Sequence, residues 1–167
     1  HAAAPAMTLI ENTLITSHSE DVIDQWGLIK FDNVKEKTRN IVSEFDVRTP
    51  TLDNAAASLS GGNLQKFVIG REILQKPRVF VVNQPTWGVD AAAAAFIRQS
   101  ILNLASNDSA VVVISQDLDE LFEICDTFSV LTNGRMSKSH DIRSLSSEDV
   151  GLLMGGSDLD LKNRDKA

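Results

Sequence analysis

The sequence lacks several features that would assign it to common classes of protein. It has one cysteine, Cys125, so a disulfide within the chain is excluded. Its longest apolar runs fall well short of the about 20 residues that a membrane-spanning helix needs. Lysine and arginine are dispersed, and the formal net charge is -7. Phosphate contacts need clustered positive charge, so nucleic-acid binding is not expected.

The chain does have the composition of an ordinary globular domain. It has 167 residues, of which 43% are hydrophobic and 23% are charged, enough for one sizeable core. The first third is predicted to be helical. Apolar spacing predicts a helix over 33–45 and another over about 19–26. Residues 1–10 are expected to be a loop or a fragment end, and 46–58 a connecting loop.

After this helical part, strands and helices alternate. Two short runs rich in β-branched residues, 78–82 and 110–114, predict strands of a parallel sheet that is buried on both faces. Helices are predicted at 63–74, 91–104, 117–125 and from 146 to the stop at Gly155-Gly156; strand-like segments at 127–132 and 135–139 flank the tight turn Asn133-Gly134. The pattern indicates an α/β fold with a polar tail at 157–167.

Ser60-Gly61-Gly62 stands immediately before a predicted helix. Serine caps the first amides of a helix, and glycine lets another surface approach the backbone closely. The unpaired amides and partial positive charge of a helix N-terminus suit a phosphate group. Taken by themselves, however, these three residues favour a plain capped helix.

Polar residues also follow both predicted parallel strands. Asn83-Gln84 ends the first strand and leads into Pro85-Thr86-Trp87-Gly88-Val89-Asp90, and Ser115-Gln116-Asp117 follows the second strand. Open α/β sheets bind ligands at the carboxyl ends of their strands. Alone, the first stretch also fits a strand followed by a proline turn, and the second favours a plain cap of the following helix.

Together these motifs resemble the ATPase domains of ABC transporters. Leu59-Ser60-Gly61-Gly62-Asn63-Leu64-Gln65-Lys66 is similar to the signature of ATP-binding subunits that serve importers of simple sugars and nucleosides. The segments 84–90 and 151–156 resemble the second of the two ATPase domains in those subunits, and the segment 7–12 resembles their entry into the helical subdomain. The resemblance covers residues 5–156.

The resemblance implies a P-loop NTPase (RecA-like) core, of which this chain is the later part. Residues 1–58 would belong to the helical signature subdomain and its entry loop, and 59–156 to the signature helix and the C-terminal half of the core. Such domains meet head to tail around two ATP molecules. Ser60, Gly61 and Gly62 would then hold the γ-phosphate of ATP bound mainly by a partner domain. Asn63 and Gln65 would flank that contact, and the D-loop carboxylate of Asp90 would cross the interface.

The resemblance also shows where the chain departs from the family. Asn83 stands at the position of the aspartate that holds Mg²⁺, and a neutral amide is a poorer ligand for a hard cation. Gln84 stands at the general-base position and cannot accept a proton. Gln116 replaces the switch histidine. None of the nine glycines begins a Gly-x-x-x-x-Gly-Lys P-loop. The earlier residues of the domain, which would include the P-loop, are therefore expected elsewhere. This chain alone is expected to bind ATP weakly or not at all.

These features predict an ATP-binding component of an ABC importer whose own site is degenerate. The expected partners are another ABC domain in the same polypeptide, transmembrane permease subunits and, indirectly, an extracytoplasmic solute-binding protein. Nucleic acid is not an expected partner. The expected location is peripheral, at the cytoplasmic face of the plasma membrane. Two alternatives stay open, a non-catalytic ABC-type scaffold and an ABC ATPase unrelated to transport.

Overall fold

The computed structural model describes residues 2–17 and 22–156. The chain divides into two compact units between Gln116 and Asp117, and each unit is described by itself. The predicted tail at 157–167 lies outside the described residues. The predicted division at residue 58 falls inside the first unit and stays a prediction.

The described residues of the first unit form four α-helices and two strands. In chain order these are α1 (Leu9–Leu14), α2 (Phe31–Glu44), α3 (Gly61–Ile73), β1 (Val79–Asn83), α4 (Ala91–Ala105) and β2 (Ala110–Ile114). The predictions for α2, α3, α4 and both strands are confirmed to within two residues at each end. In α2, Val34, Thr38 and Ile41 are buried, as their helical spacing predicted.

Two predictions in the helical part are wrong. Residues 1–10 do not form only a loop, because α1 begins at Leu9 behind a capping box made by Thr8 and Glu11. Residues 22–26 are not helical either. The Asp24 side chain accepts hydrogen bonds from the amides of Trp26 and Leu28, both at 2.8 Å, which holds a tight turn instead. The earlier part of that predicted helix, 19–21, lies outside the described residues.

β1 and β2 pair in parallel, with Val79 opposite Ala110 and Asn83 opposite Ile114. One face of this pair is covered, and Phe80 is buried there. The other face is open, since Val79, Val81, Val112 and Ile114 are 63%, 61%, 50% and 52% exposed. The prediction of two buried faces is therefore wrong for this chain, because no described element covers the second face.

Aromatic packing joins the end of α2 to α3 and α4. The rings of Phe45 and Phe96 meet edge to face with 5.6 Å between centroids. Phe67 in α3 and Ile97 in α4 are fully buried. Gly70 leaves the space that the Phe45 ring occupies, since a Cβ at this position would lie 2.5 Å from Cγ of Phe45. This packing sets the position of α3.

The second unit consists of short elements. They are α5 (Leu118–Ile124), β3 (Thr127–Phe128), β4 (Leu131–Thr132), β5 (Arg135–Met136), β6 (His140–Asp141) and α6 (Ser147–Met154). The predicted turn at Asn133-Gly134 is confirmed, with φ of 49° and 73°, and it joins β4 to β5. The predicted strand 127–132 is split into β3 and β4. β4 pairs with β5, whereas β3 pairs with β6. In the described parts of both units, no helix is long and apolar enough to cross a membrane.

Candidate functional site

Ser60 caps the N-terminus of α3. Its backbone is extended (φ -63°, ψ 156°), and its hydroxyl accepts a hydrogen bond from the Asn63 amide at 3.4 Å. Gly61 and Gly62 form the start of the helix, and Ser60 and Gly61 are exposed. The predicted signature therefore lies at the open start of a helix, where unpaired amides and the helix dipole favour an anion.

Gly61 and Gly62 pack against the loop that follows β1. A Cβ at Gly61 would lie 3.4 Å from the Gly88 carbonyl oxygen, and one at Gly62 would lie 3.8 Å from Oδ2 of Asp90. These are ordinary van der Waals distances. Packing among the described residues therefore does not by itself require glycine at either position.

Asp90 lies beside this helix start and caps the next helix. Its Oδ1 accepts a hydrogen bond from the Ala93 amide at 2.9 Å, so it is the N-cap of α4. The side chain is exposed. The predicted D-loop carboxylate is thus adjacent to the predicted signature, and its role across a domain interface stays a prediction.

The predicted positions of the chain's own catalytic groups lie at the carboxyl end of the β1–β2 pair. Asn83 is the last residue of β1, and the Gln84 amide donates to the Ile114 carbonyl at the end of β2, at 2.8 Å. Gln116 follows two residues later. Because β1 and β2 are parallel and in register, Asn83, Gln84 and Gln116 belong to the same end of the sheet.

Gln84 has an unusual backbone conformation. Its φ is 52°, in the left-handed region that few residues other than glycine and asparagine adopt readily. A turn follows at once, in which the Trp87 amide donates to the Gln84 carbonyl at 3.2 Å. The strand therefore ends abruptly after Asn83.

Side chains of α3 tie the helix start to three other segments. Gln65 Nε2 donates to the Pro85 carbonyl at 2.9 Å. Asn63 Oδ1 accepts from the Arg48 amide at 2.8 Å. Lys66 Nζ lies 3.1 Å from Oδ2 of Asp46 and 5.3 Å from the centroid of the Phe96 ring. The helix start is thus held by the loop after α2, the loop after β1 and α4.

Sequence reasoning missed two of these anchors. Lys66 belongs to the predicted signature, but its partner Asp46 is 20 residues away. The hydrogen bond from Lys66 lowers the pKa of Asp46 below its ordinary value. Arg48 contributes a backbone amide, which no sequence pattern marks. The basic residue at the sixth position of α3 was the one available signal, and it did not indicate a partner.

Known proteins resemble this chain in sequence and in fold. No family model matches the chain. The guanosine import ATP-binding protein NupO of Bacillus subtilis is 34% identical over 147 residues, which are 88% of this chain and 29% of that protein. The nucleoside import ATP-binding protein NupA of Lactococcus lactis is 31% identical over 92% of this chain and 30% of its own length. The galactose/methyl galactoside import ATP-binding protein MglA of Mannheimia succiniciproducens is 33% identical over 84% of this chain and 28% of its own length.

The chain is similar in sequence to these import ATP-binding proteins over most of its own length. It spans somewhat under a third of the length of these curated relatives. Solved structures agree on the fold. A dimeric ATP-binding cassette bound to ADP and phosphate matches with a TM-score of 0.67 at 18% identity, over 84% of this chain and 59% of that chain. An inward-facing ABC transporter of metal-chelate type matches with a TM-score of 0.72 at 20% identity, over 92% and 60%. The predicted ABC ATPase fold is confirmed.

The donor set at this end of the sheet does not fit Mg²⁺. Asn83, Gln84 and Gln116 offer neutral amides, whereas Mg²⁺ prefers carboxylate oxygens and water. In the described part of the chain, no group of three or more His, Cys, Asp or Glu side chains could hold a metal ion. Asn83, Gln84 and Gln116 are therefore poor ligands for Mg²⁺.

Three further features lie outside the candidate site. Trp87, in the loop after β1, is 78% exposed. A cavity of about 630 Å³ lies among α1, α2 and α3, and its lining includes Thr13, Ile41 and Arg71. None of the predicted site residues lines this cavity. In the second unit, burial raises the pKa of the half-buried Cys125 thiol, which disfavours the reactive thiolate.

Proposed function

We propose that this chain is part of the ATP-binding component of an ABC importer for sugars or nucleosides. In this proposal, Ser60, Gly61 and Gly62 contact the γ-phosphate of an ATP molecule that a partner ABC domain binds. One observation carries the proposal: the exposed start of α3 combines a serine cap with two glycines that packing within the described chain does not require.

The start of α3 suits a phosphate from outside the chain. Its free amides point away from the helix, and its dipole places partial positive charge there. Side chains at Gly61 and Gly62 would keep a phosphate at a distance, whereas glycine permits direct contact with the backbone. Asn63 and Gln65 flank this surface, and Asp90 stands beside it as the carboxylate that reaches the opposite site.

The chain's own nucleotide side is proposed to be degenerate. Gln84 cannot act as a general base, and loss of such a base typically costs about 10²- to 10⁴-fold in rate. Asn83 and Gln116 carry no charge to balance Mg²⁺ or contact phosphate strongly. With no P-loop in these 167 residues, ATP hydrolysis by this chain alone is not expected.

The relatives suggest the partners. Each is an import ATP-binding protein more than three times as long as its matched part, which is compatible with two ABC domains in one polypeptide. We propose that the chain acts beside such a domain, docked on transmembrane permease subunits that a solute-binding protein supplies with cargo. Its place would be peripheral, at the cytoplasmic face of the plasma membrane, with ATP and Mg²⁺ at the partner's site.

The substitution Gly62→Asp in the full-length protein tests the phosphate contact. A carboxylate at the helix start would repel the γ-phosphate and fill the space it needs, so we expect hydrolysis of ATP by the assembled importer to be lost. Gly151→Asp is the matched control, because Gly151 lies in α6 with nothing within 4 Å of its Cβ position. Unchanged turnover in Gly62→Asp would contradict the proposal.

The second candidate is a non-catalytic ABC-type scaffold, which the neutral set Asn83, Gln84 and Gln116 favours. The triple substitution Asn83→Asp, Gln84→Glu and Gln116→His in the full-length protein separates the two. A large gain in hydrolysis indicates an assembled site that lacks only its catalytic groups. No gain, together with unchanged turnover in Gly62→Asp, indicates a scaffold.

A further inference from the structure

Within residues 2–17 and 22–156, hydroxyl groups cap three α-helices, and at two of them the hydroxyl proton is used within the cap. Thr8 Oγ1 donates to the Glu11 carboxylate at 2.9 Å, and Ser146 Oγ donates to the Asp149 carboxylate at 2.6 Å. Both carboxylates stand at the third position of the helix, as in the capping box. Such a hydroxyl has no proton left for a ligand.

At the third cap, at α3, the side chain at the third helical position donates to the hydroxyl and does not accept from it. The residue at the third helical position is Asn63, and its Nδ2 donates to Ser60 Oγ at 2.9 Å. Its backbone amide donates to the same oxygen at 3.4 Å. A hydroxyl has two acceptor lone pairs and one proton. Asn63 thus fills both lone pairs, and among the described residues Ser60 Oγ donates to none.

The loop after α2 fixes the orientation of the Asn63 side chain. The Arg48 amide can only donate, so the carboxamide atom that faces it at 2.8 Å must be the oxygen. The nitrogen on the other branch is then directed at Ser60. A single carboxamide thereby connects the loop after α2 to the hydroxyl at the helix start.

We propose that Asn63 is a positioning residue that directs the Ser60 hydroxyl proton outward, toward a phosphate oxygen of the partner's ATP. This inference rests on the proposed function of the α3 start. Asn63 need not touch the nucleotide to act in this way. It occupies the acceptor sites of Ser60, so that the hydroxyl offers the phosphate a donor and not a lone pair, which a phosphate oxygen would repel.

A double-mutant cycle in the full-length protein with its permease tests the inference. We expect Ser60→Ala and Asn63→Ala each to lower kcat/KM for ATP roughly ten- to a hundredfold, the range for a hydrogen bond to a charged group. If Asn63 acts through Ser60, the double variant will be no slower than the slower single variant. Effects that multiply, or wild-type kinetics in Asn63→Ala, would overturn the inference.

The isosteric substitution Asn63→Asp adds a readout that a purely structural role would not produce. Aspartate still accepts from the Arg48 amide, but it captures the Ser60 proton and creates the kind of capping box seen at Ser146. We expect activity to fall while the thermal midpoint stays equal or rises. Asn103→Asp is the matched control, because Asn103 is exposed on α4 and its Oδ1 accepts from Gln99 at 2.9 Å.

The outcomes separate this inference from the proposed function. If both Gly62→Asp and Ser60→Ala leave turnover unchanged, the phosphate contact is wrong, and the role of Asn63 fails with it. If Ser60→Ala slows the enzyme but Asn63→Ala does not, the phosphate contact stands and only the positioning role is wrong. A lower thermal midpoint in Asn63→Asp, with activity lost in proportion, would also overturn the positioning role.

Discussion

The side-chain amide of Gln65 donates a hydrogen bond to the backbone carbonyl of Pro85, at a distance of 2.9 Å. The bond joins the second turn of α3 to the loop that leaves β1. The helix start that is proposed to contact a partner's nucleotide is thus tied to the strand end that carries the chain's own degenerate positions. A shift of either segment would therefore displace the other or break this hydrogen bond.

Gln65→Glu tests this connection. The carboxylate would face a carbonyl oxygen without a proton to share, so we expect a loss of about 1–3 kcal/mol in the free energy of unfolding, as for a partly buried acceptor left unpaired. Chemical denaturation of the isolated chain measures it. Gln99→Glu on the exposed side of α4 is the control, and an equal loss in both variants would argue against a special role for Gln65.

Gly70→Ala tests the packing between α2 and α3. The new Cβ would overlap the buried Phe45 ring, with 2.5 Å to Cγ and 2.6 Å to Cδ2. We expect destabilisation by about 1–3 kcal/mol, although alanine is the better helix former. Gly151→Ala in α6 has free space and should stabilise by about 0.5–1 kcal/mol. Denaturation curves of the two variants should therefore shift in opposite directions.

Asp46→Asn tests the ion pair with Lys66 through its pH dependence. The folded-state pKa of Asp46 is lowered, so its stabilising effect is present above the unfolded pKa of about 3.9 and is lost as the pH falls through the folded value. Asparagine tolerates the left-handed backbone of residue 46, whose φ is 46°. The difference in unfolding free energy between wild type and variant should shrink between about pH 5 and pH 2.

Salt provides the second check on this pair. The Asp46 side chain is 66% exposed, so added salt should screen its interaction with Lys66 at neutral pH. Salt should therefore also reduce the difference in unfolding free energy between wild type and Asp46→Asn. A difference that is constant with both pH and salt would show that the charge of Asp46 does not stabilise the fold.

The two faces of the β1–β2 pair should respond differently to substitution in the isolated chain. Phe80→Ala removes a ring that is 7% exposed and should cost about 3–5 kcal/mol. Val81→Thr and Val112→Thr alter side chains on the open face and should each change stability by less than about 0.5 kcal/mol. Equilibrium denaturation distinguishes them, and a large loss in either threonine variant would mean that the open face is covered in solution.

Local patterns predicted most of the elements. The apolar spacing of α2, the alanine-rich run of α4, the β-branched runs of β1 and β2 and the Asn133-Gly134 turn each act over a few residues, so the sequence contains the information directly. The helix predicted at 22–26 does not form, because the Asp24 side chain accepts hydrogen bonds from the amides of Trp26 and Leu28. That competition depends on a turn geometry which apolar spacing does not reveal.

For the candidate site too, some features follow from the sequence and others only from the tertiary structure. By itself, the sequence determined the serine-capped, glycine-rich start of α3, the neutral residues at the two strand ends and the likeness to ABC ATPases, because these depend on residue type and spacing. Only the tertiary structure decided that Asn63 joins Arg48 to Ser60, that Lys66 meets Asp46 and that one face of the β1–β2 pair lies open. These relationships connect segments 15–20 residues apart or depend on what covers a surface, and the packing of whole elements sets such distances.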